Sequence, residues 1–482
     1  MRRPTRPPRL AAPVTWRNAR IPRVPPRGGS HLEPGNSIHE GDLLAQAAGE
    51  TAPSAKTGRP SLWHHSDYVK LWFASTISLA GSQVSQFAIP VIAALVLRAT
   101  VFEVALLGTF EMLPFILFTL PAGAWLDRVR RRPVLIAGDF GRAAALVSIP
   151  IAYALGALTI WQLYAVGFTA GLLTVLFDVA DQSYLPVLLD PEDLVEGNAK
   201  LEIPASAAQI VGPGFSGGLI GLIAAPFAIL VDAASFVASG SLISLIRKEE
   251  TVPERKLRSD GTGTSMRQEI AEGLRYVLGN RYLRMIAGAT GTSNFGSSMA
   301  FAVFPVFAYV ELGLAPALVG AAFSIGSVGF LVGSFLAAPL ASRLGVGPTI
   351  ILSCLIDGPG LLLLAFMPTN PIVAGTLLAV AMALMGLSQV IYNVNQVSFR
   401  QAITPLGIQG RMNATMRFIV WGTMPIGSVA GGILASFLPL RATVVIGALI
   451  TSLAFLWVLL SPVRSLRTIP RSDRPGATAG SV

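Results

Sequence analysis

The sequence has a single cysteine, Cys354, and charged residues fill only 13% of its 482 positions. One cysteine excludes an internal disulfide and any metal site built from several thiolates. So small a charged fraction argues against a water-soluble chain, which would carry about twice as much. No phosphate-binding loop with its Lys-Ser/Thr step is present. No nucleophile–base–acid set and no cluster of metal ligands can be seen either. These absences speak against an enzyme, a nucleotide-driven pump and a metalloprotein, so the expectation is that the chain uses no cofactor and no metal.

What the sequence has in abundance is apolar surface. Hydrophobic residues make up 52% of it, and the mean hydropathy is +0.61. A helix that crosses a bilayer needs about 20 mostly apolar residues. Twelve such runs are predicted, at 69–97, 103–126, 134–157, 160–187, 201–223 and 226–246, then 283–311, 316–342, 348–367, 371–398, 412–436 and 440–460. Residues 1–62, rich in Arg and Pro, read as a disordered basic tail or as sequence ahead of the true start codon. They contain no run long enough for a signal peptide. The implied organisation is a six-helix unit over 63–246, a cytoplasmic linker over 247–282 with an amphipathic helix around Met266–Leu278, a second six-helix unit over 283–464, and a tail over 465–482. His64 and His65 read as an interfacial pair.

The charge pattern orients these spans. Turns after the second, fourth, sixth, eighth and tenth spans carry Arg128–Arg132, Lys200, Arg247 to Arg281, Arg343 and Arg411. The opposite turns carry little beyond Arg98 and Arg441. Basic turns stay cytoplasmic. The expectation is therefore a multi-pass protein of the cell (inner) membrane with both termini in the cytoplasm. Topology accounts for the net charge of +10, so no nucleic-acid partner is inferred. The partners expected are the lipid bilayer and a small-molecule substrate.

The two halves match at a constant shift of 215 residues. "GSQVSQFAIPVIA" from Gly81 falls on "GSSMAFAVFPVFA" from Gly296. Arg128 falls on Arg343, Pro133 on Pro348, Asn198 on Asn413, and Gly212 and Gly217 on Gly427 and Gly432. Each unit has six spans and starts on the same side, so the repeats are parallel, with a substrate site at the midplane between them. Transport by alternating access is the leading reading.

"GAWLDRVRRRP" resembles the signature loop between helices two and three of the major facilitator superfamily. "FDVADQSYLPVLLDPEDLVEGNAKLE", "VGPGFSGGLI" and "LVDAASFVASGSLI" resemble its transmembrane secretion effector branch, which holds the enterobactin exporter and macrolide-efflux-like transporters. The likeness covers 65–464. It implies an all-α membrane protein of twelve transmembrane helices in two pseudo-symmetric six-helix bundles, exporting solutes by proton antiport; a monomer is expected. Two positions depart from the pattern. The arginine that many drug–proton antiporters carry early in helix four is missing, since Ala165–Gly171 is small and apolar. The arginine often found near Asp178 is Asp181 here.

The resemblance also places Asp127 as a gate residue near the start of helix eleven, with Arg417 as its candidate partner and Arg128, Arg131 and Arg132 beside it. Glu111 is the deepest acid of the first unit. An ionised carboxylate at that depth is costly, so Glu111 is a candidate proton carrier. Asp178 and Asp181, three residues apart on one helix face, are further candidates. Asp139 and Arg142 share that spacing and read as a structural pair, and Asp232 and Asp357 read as structural too. Helices one, four, seven and ten line the cavity in the family. Ser82, Gln86, Asn294, Gln389, Tyr392, Asn393 and Gln396 are the cavity candidates on those spans, beside the plainer reading of interhelical hydrogen bonds. The function expected is proton-coupled efflux of a small hydrophobic drug or siderophore-like metabolite. Uptake by symport and a transporter-shaped sensor or scaffold are the alternatives.

Overall fold

The structure is a computed structural model, and it describes residues 62–126, 129–190, 193–248, 250 and 266–468. The basic N-terminal segment, Asp127, Arg128, most of the linker's first part and the end of the chain lie outside the described residues. Among those described, every regular element is helical.

The helices in order are α1 (Ser66–Val91), α2 (Val101–Leu126), α3 (Arg131–Ala154), α4 (Ile160–Leu188), α5 (Leu194–Leu222) and α6 (Ala225–Ser244). The linker helix α7 (Met266–Gly279) follows, then α8 (Arg281–Pro305), α9 (Pro316–Leu344, interrupted at Ser327), α10 (Val346–Leu362), α11 (Pro371–Ile403), α12 (Leu406–Ala435) and α13 (Leu440–Leu459). Eleven of these are long and apolar enough to cross a membrane; α5 and the amphipathic α7 are not among them. The 29 residues of α5 give it full length, but Pro204, Gly212, Pro213, Gly214, Gly217 and Gly218 dilute its hydropathy. It nevertheless packs along both α1 and α9.

Polar residues at the helix starts explain where several helices begin. Thr100 and Glu103 form a reciprocal capping box before α2: the Thr100 N–H donates to Glu103 at 2.7 Å, and the Glu103 N–H donates to Thr100 at 3.3 Å. Each side chain satisfies a backbone donor that the first turn leaves open. Asn280 caps α8 and Asn370 caps α11 through their side-chain oxygens. His65 accepts the Tyr68 N–H at 3.1 Å and so caps α1.

The packing of the first six helices recurs among the last six. Helix α1 packs on α5 and α6, α2 on α4, and α3 on α4 and α6. In the same pattern α8 packs on α12 and α13, α9 on α11, and α10 on α11 and α13. Smaller contacts, of α2 with α8 and of residues 92–96 with 306–311, accompany the two extensive ones that join the sets, α2 with α12 and α5 with α9. Both extensive contacts are tight because glycine lets backbones approach closely. A Cβ on Gly217 would lie 2.5 Å from the Pro316 carbonyl oxygen, and one on Gly432 would lie 2.7 Å from Ala105 Cβ. Gly212 and Gly427 instead pack within their own sets, against Gln83 and Phe295.

Backbone geometry repeats as well. Helix α1 runs on into a wider π-helical turn, Ile92–Val96, and α8 into another, Val306–Glu311. Each ends in a residue with positive φ, Arg98 at 50° and Gly313 at 64°. The closing bonds match: Leu97 N–H to Ile92 and Ala99 N–H to Ala93, then Leu312 N–H to Phe307 and Leu314 N–H to Ala308.

Three apolar cores hold the molecule. The largest draws on both sets, from Val84 and Ile229 to Val303 and Ala448. It lies away from the end that carries the basic turns. At that basic end the core divides: one cluster comes only from the first set, with Tyr68, Leu135 and Tyr184, and another only from α7 and the last set, with Val277, Phe399 and Met412. Among the described residues, the two sets thus share one core at one end and have separate cores at the basic end.

Candidate functional site

Several of the polar candidates are exposed on helices of both sets. Gln86 on α1, Asp178 on α4, Gln389 and Asn393 on α11, and Asn413 and Arg417 on α12 are all exposed. Elsewhere the exposed positions of these helices include Phe73, Ile372 and Ile426. Apolar side chains of that kind suit hydrocarbon, whereas polar ones facing it would be costly. The polar set is therefore costly to leave against hydrocarbon.

Glu111 sits on α2 against α4. A Cβ on Gly167 would lie 3.1 Å from Glu111 Cγ, and one on Gly171 would lie 2.5 Å from the Glu111 carbonyl oxygen. The small residues that stand where other antiporters carry an arginine thus form the notch that takes this acid. Among the described residues, no hydrogen bond and no charged neighbour acts on the Glu111 carboxyl.

Behind Asp178 lies a buried charged group on α3, α4 and α6. Arg142 pairs with Asp139 at 2.5 Å, the two side chains being 5% and 0% exposed. Its guanidinium stacks over Phe177 at 4.4 Å and Phe236 at 4.1 Å. The charges of Asp178 and Asp232 also act on it. One oxygen of Asp181 and one of Asp139 are buried without a hydrogen-bond partner, as is Arg142 Nε. The pair was visible in the sequence from its spacing. Its place at the centre of four carboxylates, Asp139, Asp178, Asp181 and Asp232, was not, because three helices contribute to it. Asp232 is itself buried against α1, where Gly81 leaves it room, and it accepts the hydroxyl of Ser235 on its own helix at 3.2 Å.

The second set answers with fewer charges. Asp357, which the 215-residue shift places on Arg142, accepts the Ser293 hydroxyl at 2.7 Å. Tyr392 and Thr290 share a hydrogen bond of 2.6 Å. Gln396 is buried and donates to Asn393 at 2.9 Å, while Asn294 donates to the Val420 carbonyl at 3.1 Å. The serine stripe of α1 divides: Ser78 and Ser85 are buried, Ser82 is half-buried and the neighbouring Gln86 is exposed.

The basic loop before α3 is held within its own set. The Arg131 and Arg132 N–H groups donate to Glu250 at 2.7 and 3.1 Å, and the Arg131 guanidinium pairs with the same carboxylate at 3.0 Å. Arg132 also reaches the Ile243 and Ser244 carbonyls. Glu250 therefore caps α3 from the far end of the set, a role that sequence separation concealed. Asp127 and Arg128 lie outside the described residues. The linker helix α7 attaches to the other set, through Glu272 with Arg411 and through Tyr276 with the Ile403 carbonyl.

Known proteins share this pattern. The family model for transmembrane secretion effectors matches residues 61–476. The multidrug efflux pump Tap of Mycolicibacterium fortuitum is 27% identical over 384 residues, which cover 77% of this chain and 89% of that pump. The pump of the same name from Mycobacterium tuberculosis (strain ATCC 25618 / H37Rv) is 28% identical over 419 residues, 84% of this chain and 97% of the pump. Among solved structures, a bacterial homologue of the iron transporter ferroportin in its inward-facing state superposes with a TM-score of 0.64 at 18% identity, covering 83% of this chain and 100% of the homologue. The outward-facing state gives 0.50 at 19% identity, covering 82% and 98%. The helical fold, the motif loop and the match over most of its length establish that this chain belongs to the transmembrane secretion effector family of major facilitator transporters, which are membrane transporters and not enzymes.

Proposed function

We propose that this chain is a secondary active exporter that couples proton entry to the efflux of small, partly hydrophobic molecules, drugs among them. Two six-helix bundles, α1–α6 and α8–α13, rock about the site between them, with α5 as the twelfth crossing. The repeated packing pairs and the matched turns at Arg98 and Gly313 support this architecture. Basic turns at the end where the core divides make that end cytoplasmic, so the arrangement is inward-open with both termini inside. The better superposition on an inward-facing transporter agrees with this reading.

The observation that carries the proposal is the divided core at the basic end, with Gln86, Asp178, Gln389 and Asn393 exposed on helices of both sets. Glu111, held in its glycine notch without a partner, is the proton carrier, and Asp178 and Asp181 pass protons between it and the cytoplasmic opening. The relatives that bear the name multidrug efflux pump support drugs as substrates. The test is flux in proteoliposomes under an imposed pH gradient, with a panel of labelled hydrophobic antibiotics and siderophores. Wild-type protein exports at least one of them against its gradient. Glu111→Gln inserts normally and exports none under the gradient, while still exchanging substrate down its own gradient. Undiminished gradient-driven export by Glu111→Gln removes Glu111 from the mechanism.

A further inference from the structure

Where α2 and α12 separate towards the basic end they leave a cavity of about 260 Å³. Phe115, Ile116 and Thr119 line it from α2, and Asn413, Arg417 and Trp421 from α12. The lining is graded in depth. Asn413 and Arg417 lie nearest the basic end of α12, and Trp421 lies one turn deeper. Arg417 stacks over Trp421 at 4.9 Å, and Trp421 meets Phe115 edge to face at 6.1 Å. The slot therefore has a cation and an amide at its mouth and aromatic walls below.

Two further observations point to the occupant. Arg417 is exposed, and among the described residues no carboxylate lies within ion-pair distance of it. Stacking on Trp421 satisfies the face of the guanidinium and leaves its edge donors free for a phosphate. Phe418, which also lines the slot, is 49% exposed, so the slot borders on lipid as well as on the central space. An exposed cation that borders a leaflet attracts its anionic headgroups.

We infer that this slot binds an anionic phospholipid from the surrounding leaflet. Arg417 and Asn413 take the headgroup phosphate, and an acyl chain lies in the cleft between Phe115 and Trp421. The inference does not depend on proton coupling or on the direction of transport.

Native mass spectrometry of the purified full chain tests it, with phosphatidylglycerol, phosphatidylcholine or inorganic phosphate added at equal concentration. Wild-type protein keeps one phosphatidylglycerol at a collision energy that strips phosphatidylcholine, and phosphate alone does not compete it away. Arg417→Gln loses that last lipid, at least tenfold in occupancy. Arg417→Lys keeps a substantial part of it, which also shows that the site folds without arginine, and Trp421→Ala lowers retention of both lipids. Equal retention of the two lipids by wild-type protein overturns the inference. So does undiminished phosphatidylglycerol on Arg417→Gln, or displacement by inorganic phosphate alone.

Discussion

Glu111 owes its position to residues that carry no chemistry of their own. Gly167 and Gly171 let α2 and α4 approach until the Glu111 backbone touches α4. Filling that notch with Gly171→Leu forces the helices apart and costs about 1–3 kcal/mol. A lower melting temperature in detergent is the expected readout, and an unchanged one contradicts the contact. Arg142 poses the opposite problem, a charge that must stay compensated. Asp139→Asn leaves it buried beside fewer anions, at a cost of about 3–5 kcal/mol. The double variant Asp139→Asn, Arg142→Met removes both charges and recovers most of the loss in the same melting assay. Depth was legible for Glu111, because an acid in the middle of an apolar run announces itself. The notch and the Arg142 cluster were not, because a single sequence does not reveal which helices touch. Spacing put Asp178 and Asp181 on one face, but only the packing separates the exposed Asp178 from Asp181 with its buried oxygen.

Among the elements, the π-helical turns after α1 and α8 are the clearest mark of duplication. Both end in the left-handed region, which costs an ordinary L-residue about 1–2 kcal/mol. Gly313 avoids that strain, whereas Arg98, at the equivalent place, bears it. Arg98→Gly is therefore expected to raise stability by about 1 kcal/mol and Gly313→Val to lower it by a similar amount or more. Thermal unfolding with opposite signs for the two variants bears this out, and the same sign for both refutes it. Most helix limits could be read from the apolar runs. The largest difference is α5, which starts at Leu194 rather than near 201, because its first two turns are polar. Glu250 shows a further limit of sequence reading. It stands in a polar insert that looks like a plain connector, yet it closes the start of α3 through contacts more than 100 positions away.

For the whole molecule, the repeat was legible because Pro, Gly, Arg and Asn recur at one shift, and these residue types are constrained by backbone geometry or helix packing. Gly217 and Gly432 then turn out to occupy the two seams between the sets, while Gly212 and Gly427 pack inside them. The division of the core at the basic end could not be read, since it depends on contacts between the sets and not on any one helix. Alternating access makes a definite claim about the α2–α12 seam: its two ends must move in opposite senses. Spin labels at Leu117 and Phe418 report the basic end, and labels at Val101 and Phe437 report the other. Double electron–electron resonance distances in liposomes, taken with and without an outward proton-driven load, measure both. A shorter Leu117–Phe418 distance together with a longer Val101–Phe437 distance is the predicted result. Distances that stay fixed at both ends while substrate crosses the membrane would contradict the account.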